Sequence, residues 1–257
     1  MDSKPPGRLL VIEHEEDSGG ELLGEAAVAK GFRLHVVTPN SGIPTSCAGY
    51  DAVIMLGSAD SVYDPAIADW FVPEIELLRE ADAIGVPVFG VCFGAQALAV
   101  ALGGSVARAA CPEIGWVEVD STDIHVIPAG PWFEWHVDTI TPPDGAEVLA
   151  TTKLANGELC VQAYRVGPHL AVQFHPEAQL RQATDWPAAD PVNLAATGQT
   201  PEWILQRTIE ELPAARVRAA DLLDRFLEQA GDGTGSDRYA PRARPTPRAR
   251  PERGARC

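Results

Sequence analysis

The sequence predicts an α/β fold of three layers, in which helices cover both faces of a mostly parallel central sheet and a small antiparallel section flanks it. Up to residue 104, short apolar runs of strand length alternate with helical segments. This alternation is typical of a parallel sheet buried on both faces. After residue 104 the predicted strands follow one another with turn signals between them, which indicates antiparallel pairing.

The first half of the chain supplies the parallel layer. Gly31 ends the first predicted helix, and Gly103 and Gly104 end the third, because glycine is a common residue just past a helix end. The predicted strands cover residues 8–13, 33–38, 51–56 and 86–91, and the predicted helices cover residues 21–30, 66–83 and 93–102.

The second half supplies the antiparallel section and a helical end. Strands are predicted over residues 106–110, 115–120, 146–151, 160–166 and 169–174. Three helix-disfavouring residues (Pro187, Pro191 and Gly198) predict a loop over 185–200, and an amphipathic pattern predicts a long helix over 202–229, broken at Pro213. We therefore expect one domain over 1–230, with its motif-bearing core at 8–185 and a C-terminal helical region at 201–230.

Charge is distributed unevenly along the chain. The net charge is −16, yet seven arginines against Asp237 and Glu252 make the segment from residue 234 onward basic. The remainder is strongly acidic, which argues against nucleic acid as a partner. The segment 231–257 is rich in arginine and proline and lacks hydrophobic periodicity, so we expect it to be disordered.

Composition also indicates the compartment. No apolar run reaches the ~18 residues that suggest a membrane span, and the first residues lack the apolar centre of a signal peptide. We expect a cytoplasmic protein without membrane contact, whose five cysteines are thiols. No two cysteines form a Cys-x-x-Cys pair and the histidines do not cluster, so we expect neither a metal site nor a cofactor.

One cysteine lies at a predicted corner between a strand and a helix. Cys92 stands between Gly90 and Gly94 in the pattern Gly-x-Cys-x-Gly, the sulfur counterpart of the nucleophile elbow. Glycines on both sides give the backbone room for a sharp turn, and the N-terminus of the following helix favours a thiolate. The alternative is a buried structural cysteine. The flanking glycines and the strand-to-helix context favour a nucleophile.

A nucleophilic thiol requires a base and a group that orients the base. Of the six histidines, His175 ends an apolar strand and is followed by Pro176 and Glu177. Residues i and i+2 of an extended segment point the same way, so Glu177 is positioned to hold one imidazole nitrogen while the other faces the thiol. Cys92, His175 and Glu177 are thus predicted to form a catalytic triad.

These two motifs together resemble the class I glutamine amidotransferase family, over roughly residues 8–185. Gly-Val-Cys92-Phe-Gly-Ala-Gln96 is followed about eighty residues later by Gln-Phe-His175-Pro-Glu177. Weaker matches occur in the same order, and they are similar to stand-alone members that resemble the amidotransferase domain of guanylate synthase. The resemblance implies a flavodoxin-like sheet and cleavage of the glutamine side-chain amide through a γ-glutamyl thioester.

The resemblance also implies roles for further residues. The oxyanion hole would use the backbone N–H of Phe93 and that of Gly57 or Ser58, while Gln96 would contact the substrate. Many family members carry Gly-Gly-Pro where this chain has Gly57-Ser58-Ala59, which leaves open which donor acts because serine adopts a positive φ less readily. His136 and Asp138 are candidates for substrate contact or for holding this loop.

The acceptor of the ammonia is not evident in the sequence. No Gly-x-x-x-x-Gly-Lys-Ser/Thr loop is present, so we expect either a separate synthetase polypeptide or a hydrolase that acts alone. Three hypotheses stay open: a glutamine amidotransferase, a γ-glutamyl peptide hydrolase with the same triad, and a non-catalytic regulatory module.

Overall fold

The structure is a computed structural model that describes residues 7–14 and 20–232. Its strands and helices agree in order with the predicted alternation through residue 104. In chain order they are β1 (Arg8–Ile12), α1 (Glu21–Ala29), β2 (Arg33–Val37), β3 (Ala52–Met55), α2 (Ala68–Ile84), β4 (Val88–Val91), α3 (Phe93–Ala101), β5 (Ser105–Glu118), β6 (Asp120–Ser121), β7 (Pro131–Thr141), β8 (Glu147–Lys153), β9 (Leu159–Val166), β10 (His169–Val172), α4 (Leu180–Ala189), α5 (Pro191–Ala196) and α6 (Pro201–Asp232).

The main sheet has eight strands in the order β2-β1-β3-β4-β10-β9-β8-β6. The first five are joined by parallel pairings, and the remaining pairings, from β10 through β9 and β8 to β6, are antiparallel. The predicted fold class is therefore confirmed: a mostly parallel layer continues into an antiparallel section.

Both faces of the sheet are buried, which explains why β1 is apolar from Leu9 to Ile12. Leu10 and Ile12 face a core shared with α2 and α3. Leu9 and Val11 face the opposite core, to which α1 and α6 contribute. A strand covered on both sides cannot alternate apolar and polar residues, so the sequence shows a continuous apolar run.

The strands after residue 104 differ from the prediction. The two strands predicted at 106–110 and 115–120 form one long strand, β5, which is interrupted by an irregularity between Arg108 and Glu113. Its antiparallel partner in a separate two-stranded sheet is β7, which was not predicted. The missed strand carries two of the candidate site residues, His136 and Asp138.

The predicted loop over 185–200 was wrong, because α4 and α5 occupy most of it. Pro191 is the first residue of α5, where its missing N–H is not needed, and the Asp190 side chain accepts a hydrogen bond from the Asn193 N–H at the start of that helix. The predicted break at Pro213 was also wrong, since α6 runs through it. Tertiary packing of α6 against α1 and α4 outweighs the ~3 kcal/mol that an interior proline costs.

The predicted tail at 231–257 lies, beyond residue 232, outside the described residues. Among the helices that the structure describes, none is both long enough and apolar enough to cross a membrane.

Candidate active site

Four adjacent parallel strands end at one edge of the sheet, and each is followed by a residue of the candidate site. His14 follows β1, Gly57 follows β3, Cys92 follows β4 and His175 follows β10. In the sheet these strands lie side by side in the order β1-β3-β4-β10. The carboxyl edge of a parallel sheet is the usual ligand site of α/β proteins. The topology thus brings these residues together although 161 positions separate the first from the last.

Cys92 occupies a sharp corner between β4 and α3. Its φ of 50° and ψ of −107° make it the one non-glycine residue with a positive φ among those the structure describes. The corner requires close backbone approach on both sides: a Cβ at Gly90 would lie 2.7 Å from the Gly94 carbonyl oxygen, and a Cβ at Gly94 would lie 2.0 Å from that of Met55. Strained backbone of this kind concentrates at functional sites, and the geometry fits a nucleophile elbow.

His175 and Glu177 form a buried hydrogen-bonded pair. The Nδ1 atom of His175 lies 2.7 Å from Oε1 of Glu177, and the side chains are 4% and 0% exposed. Burial opposes protonation of His175, but the Glu177 carboxylate and the neighbouring Cys92 outweigh burial, so the pKa of His175 is raised well above its ordinary value. The pair therefore holds a proton on the imidazole next to the thiol.

The surroundings of His175 fix the orientation of its ring. Its backbone N–H donates to the Phe133 carbonyl oxygen at 2.8 Å, and the Trp186 ring packs edge-on against the imidazole with centroids 4.7 Å apart. Trp186 lies in α4, the helix that replaces part of the predicted loop. No local pattern indicated this contact, because a tryptophan in a predicted loop is not tied to any strand end.

Two glutamines link α3 to the thiol. The Gln96 amide donates to Gln173 Oε1 at 3.3 Å, and the Gln173 amide lies 3.5 Å from the Cys92 sulfur. Gln96 is 4% exposed and Gln173 is fully buried. Gln96 thus lines the cavity, and its described partner is Gln173, a residue that the sequence analysis did not single out.

The loop after β3 passes directly over the thiol and the imidazole. A Cβ added at Gly57 would lie 3.1 Å from His175 Cε1 and 3.7 Å from Cys92 Cβ, so this backbone is in contact range of both. Farther along this loop, the Ser61 and Tyr63 hydroxyls donate hydrogen bonds to the Asp138 carboxylate of β7, at 2.8 Å and 2.7 Å. Of the two roles considered for Asp138, these contacts favour holding the loop.

These groups border a cavity of about 370 Å³. Glu177 lies behind His175, and the other eight candidate residues line the cavity wall: Gly57, Ser58, Cys92, Phe93, Gln96, His136, Asp138 and His175. Four further residues, none of them fully buried, line the more exposed part of the wall, called the outer part below, and were missed: Arg108, Trp135, Asp190 and Asn193. The Arg108 guanidinium donates to Asn193 Oδ1 at 3.2 Å. Both Asp190 and Asn193 belong to the region predicted as a loop.

His136 belongs to a buried polar cluster below the cavity. Its Nε2 atom lies 3.2 Å from Glu113 and 3.4 Å from Glu134. Burial opposes its protonation, yet hydrogen bonds to Glu113 and Glu134 raise the pKa of His136 to about 10. Potential ligand atoms of Glu113, His136 and Cys160 lie within 4.8 Å of one another. An imidazolium has no lone pair for a metal, so the cluster fits an ion pair better than a metal site.

Comparison with known proteins agrees with this geometry. The profile of the family described as glutamine amidotransferase class-I matches residues 12–191. One of the subunits of a glutamine-hydrolyzing GMP synthase from Saccharolobus solfataricus is 35% identical over 159 residues, which are 58% of this chain and 78% of that protein. A glutamine-hydrolyzing GMP synthase from Chlorobaculum tepidum is 32% identical over 177 residues, which are 63% of this chain but 32% of that protein.

Solved structures show the same fold. A glutamine amidotransferase from Thermotoga maritima superposes with a TM-score of 0.76 and 25% identity, covering 86% of this chain and 98% of that one. A second, from Methylobacillus flagellatus, has a TM-score of 0.74 at 22% identity over 88% and 96% of the two chains. The chain spans about a third of the Chlorobaculum synthase. From the profile match over most of its length and these relatives, the chain belongs to the class-I glutamine amidotransferase family.

Proposed function

We propose that this protein hydrolyses the side-chain amide of glutamine to glutamate and ammonia, with Cys92 as nucleophile. The observation that carries the proposal is the arrangement of three groups. A cysteine on a strained elbow and an imidazole next to it line one cavity, and a buried carboxylate behind the imidazole lies 2.7 Å from its far nitrogen. Membership in the amidotransferase family supports the same reaction.

In the first half-reaction the Cys92 sulfur attacks the amide carbon Cδ of glutamine. The Nε2 atom of His175 holds the thiol proton, and a tetrahedral intermediate forms with negative charge on the former amide oxygen. His175 then donates this proton to the amide nitrogen, the C–N bond breaks, and ammonia leaves. A γ-glutamyl thioester on Cys92 remains. Proton transfer by a positioned histidine typically contributes ~10²–10⁴-fold to rate.

In the second half-reaction water attacks the thioester. His175 accepts a proton from this water, and the thiolate leaves as glutamate is released. Glu177 accepts the hydrogen bond from Nδ1–H throughout, so the imidazole keeps one orientation and its cation is stabilised. Full burial of Glu177 strengthens this interaction because little water competes for the carboxylate.

The negative oxygen of the intermediate requires N–H donors, each typically worth about 3 kcal/mol. We assign this role to the Phe93 N–H at the start of α3 and to the backbone of Gly57–Ser58. Glutamine would be held by Gln96 and by groups of the outer cavity. The ammonia acceptor is proposed to be a separate synthetase polypeptide, because the relatives from Sulfolobus acidocaldarius and Saccharolobus solfataricus are each named as one subunit of a glutamine-hydrolyzing GMP synthase.

A second candidate is hydrolysis of γ-glutamyl peptides by the same three residues. The observation in its favour is the size of the cavity: about 370 Å³ lies in the ~300–1,000 Å³ range of sites that enclose a whole small molecule. Arg108, Asp190 and Asn193 extend the wall beyond the thiol. A peptide leaving group would occupy this outer part, where ammonia needs no space.

The test measures release of ammonia and glutamate from glutamine, and of the free amino acid from a γ-glutamyl dipeptide, by the same preparation. Cys92→Ala is expected to abolish both, and Cys111→Ala serves as the matched control because Cys111 is half-buried and does not line the cavity. Turnover of glutamine alone supports the amidotransferase, whereas a higher kcat/KM for the dipeptide supports the peptidase.

A non-catalytic regulatory module is the third hypothesis. It requires that a folded protein turn over neither substrate, alone or with a synthetase partner, and that Cys92→Ala leave every measured property unchanged. Cys92-dependent release of ammonia in any of these assays would exclude it.

A further inference from the structure

A histidine outside the triad contacts the backbone of the loop that passes over the thiol. The Nδ1 atom of His14 lies 3.0 Å from the carbonyl oxygen of Gly57. Its Nε2 atom lies 3.2 Å from Oε2 of Glu74, and the two side chains are 2% and 0% exposed. His14 follows β1 and Glu74 lies in α2, 60 residues later, so the pair exists through the tertiary fold alone.

The chemistry of the partners fixes the hydrogen-bonding pattern. A carbonyl oxygen only accepts hydrogen bonds, so Nδ1 of His14 must carry a hydrogen that it donates to Gly57. The hydrogen between Nε2 and Oε2 of Glu74 is carried by one of these two atoms, so either the ring donates to the carboxylate or the carboxyl group donates to the ring. In both cases Glu74 holds the imidazole with Nδ1 directed at Gly57.

The contact determines how one peptide plane is oriented. The described peptides include no cis bond, and in a trans peptide the carbonyl and the following N–H point in opposite directions. With the Gly57 carbonyl directed at His14, the Ser58 N–H is directed away from His14. The preceding residue is already fixed, because Leu56 donates to the Ile12 carbonyl at 3.0 Å and accepts from the Gly94 N–H at 3.2 Å.

The same imidazole also contacts the other proposed donor residue. Its ring packs edge-on against Phe93 with centroids 4.9 Å apart, and it lies 5.3 Å from the ring of Trp70. One side chain therefore touches Gly57 and Phe93, the residues on both sides of the Cys92 thiol. Oε1 of Glu74 has no partner among the described residues, and burying such a group costs free energy. An apolar pair of similar volume would pack these helices and strands without that cost.

We propose that His14 and Glu74 are positioning residues, which hold the Gly57–Ser58 peptide in the orientation that stabilises the tetrahedral intermediate on Cys92. This inference rests on the proposed glutamine hydrolysis. It deepens that proposal by assigning a role to two residues behind the oxyanion loop. They act through the peptide and touch no substrate.

The test uses matched pairs of variants in the full chain. His14→Asn keeps an N–H donor close to the position of Nδ1, and His14→Leu removes it with almost the same volume. Glu74→Gln keeps a polar partner for Nε2, and Glu74→Leu removes it. For each protein we would measure kcat and KM for glutamine and the binding of glutamate γ-semialdehyde, whose aldehyde carbon forms a C–S bond with Cys92 while its oxygen becomes the tetrahedral oxygen. Alkylation of Cys92 by iodoacetamide, which forms no such oxygen, is the control reaction.

His14→Leu is expected to lower kcat by about 30- to 300-fold, a large part of the effect of losing one oxyanion donor, with KM changed less than threefold. Binding of the semialdehyde should weaken by a similar factor, while binding of glutamate and the alkylation rate stay near wild type. His14→Asn should recover most of the lost kcat, and Glu74→Leu should lose more than Glu74→Gln.

Equal kcat values for His14→Asn and His14→Leu would overturn the inference, and so would a parallel loss of alkylation, which indicates a collapsed site. If His14→Leu does not fold, the Glu74 pair decides by the same criteria. A wild-type protein that releases no ammonia from glutamine, alone or with a synthetase partner, refutes the proposed function, and the inference falls with it. An active wild type with unaffected variants refutes the inference alone.

Discussion

Gly94→Ala tests whether close backbone packing, rather than glycine's flexibility, explains the second glycine of the elbow. Gly94 is the second residue of α3, so helix propensity alone predicts that alanine stabilises the protein by about 0.5–1 kcal/mol. The structure predicts the opposite sign. An alanine Cβ would lie 2.0 Å from the Met55 carbonyl oxygen, and contacts below 3.0 Å essentially never occur. The end of β3 and the start of α3 must therefore separate by about 1 Å.

The obstacle is the backbone of a central strand, which cannot rotate away as a side chain does. We therefore take the upper end of the overpacking range, ~3 kcal/mol, and subtract the propensity gain to obtain a net loss of ~2 kcal/mol. At ~2–4 °C per kcal/mol for a domain of this size, Tm should fall by about 4–8 °C. Because Gly57 follows directly after β3, the displacement also moves the loop that lies over Cys92, and glutamine hydrolysis should fall at least tenfold.

The assay is thermal unfolding combined with glutaminase kinetics, and Gly24→Ala is the matched control. Gly24 lies inside α1, and a Cβ there would make an ordinary 3.5 Å contact with Leu34, so this variant should gain about 0.5–1 kcal/mol and keep full activity. If Gly94→Ala is as stable and as active as wild type, the close approach of β3 and α3 does not constrain the elbow and the reasoning is refuted.

Three further predictions concern titratable groups. Iodoacetamide at pH 8 should alkylate Cys92 but not Cys47 or Cys160, because burial raises the pKa of both Cys47 and Cys160 to about 12. Peptide mapping that finds all three cysteines modified in the folded protein would contradict this prediction. Glu177→Gln should lower the pKa of His175, which would shift the pH–rate profile, and should reduce kcat by ~10²–10⁴-fold. An unchanged pH–rate profile would argue that Glu177 does not control the protonation of His175. The pKa of His136 rises from 6.5 to about 10 on folding. The folded state therefore binds more protons than the unfolded state between these pH values, and stability should fall as pH rises through this window. The denaturation midpoints of wild type and His136→Gln should converge toward pH 10, and a difference between the two midpoints that stays constant with pH would refute the assignment.

Local patterns were sufficient to predict where Cys92 and His175 lie. Each of these residues follows a short apolar strand, and parallel strands end at the same edge of the sheet, so the pattern Gly-x-Cys-x-Gly and the order of strands predicted both positions. Glu177 followed from the two-residue period of an extended chain. These features depend on neighbours in sequence, which is why they were predictable.

The remaining parts of the site depend on contacts between distant segments. β7 was not predicted, because its place in the fold depends on pairing with β5 along ten residue positions. The helices α4 and α5 were missed because Pro187 and Pro191 indicated a loop, whereas Pro191 begins a helix. The pairing of His14 with Glu74 follows from the docking of α2 near the end of β1, and no local pattern encodes it.

The cavity wall is divided between two kinds of structure, and this division has a consequence for how specificity can change. The reacting groups follow strands whose neighbours are spaced ~4.8 Å apart by backbone hydrogen bonds, so their relative positions resist change. Asp190 and Asn193 lie between and within two short helices, α4 and α5, that take no part in either sheet. Substitution at these two positions therefore reshapes the outer cavity without moving the thiol, whereas Trp186 of α4 is constrained because it packs against the His175 imidazole. Relatives that differ in this helical pair are expected to share one reaction and to differ in the molecules they accept.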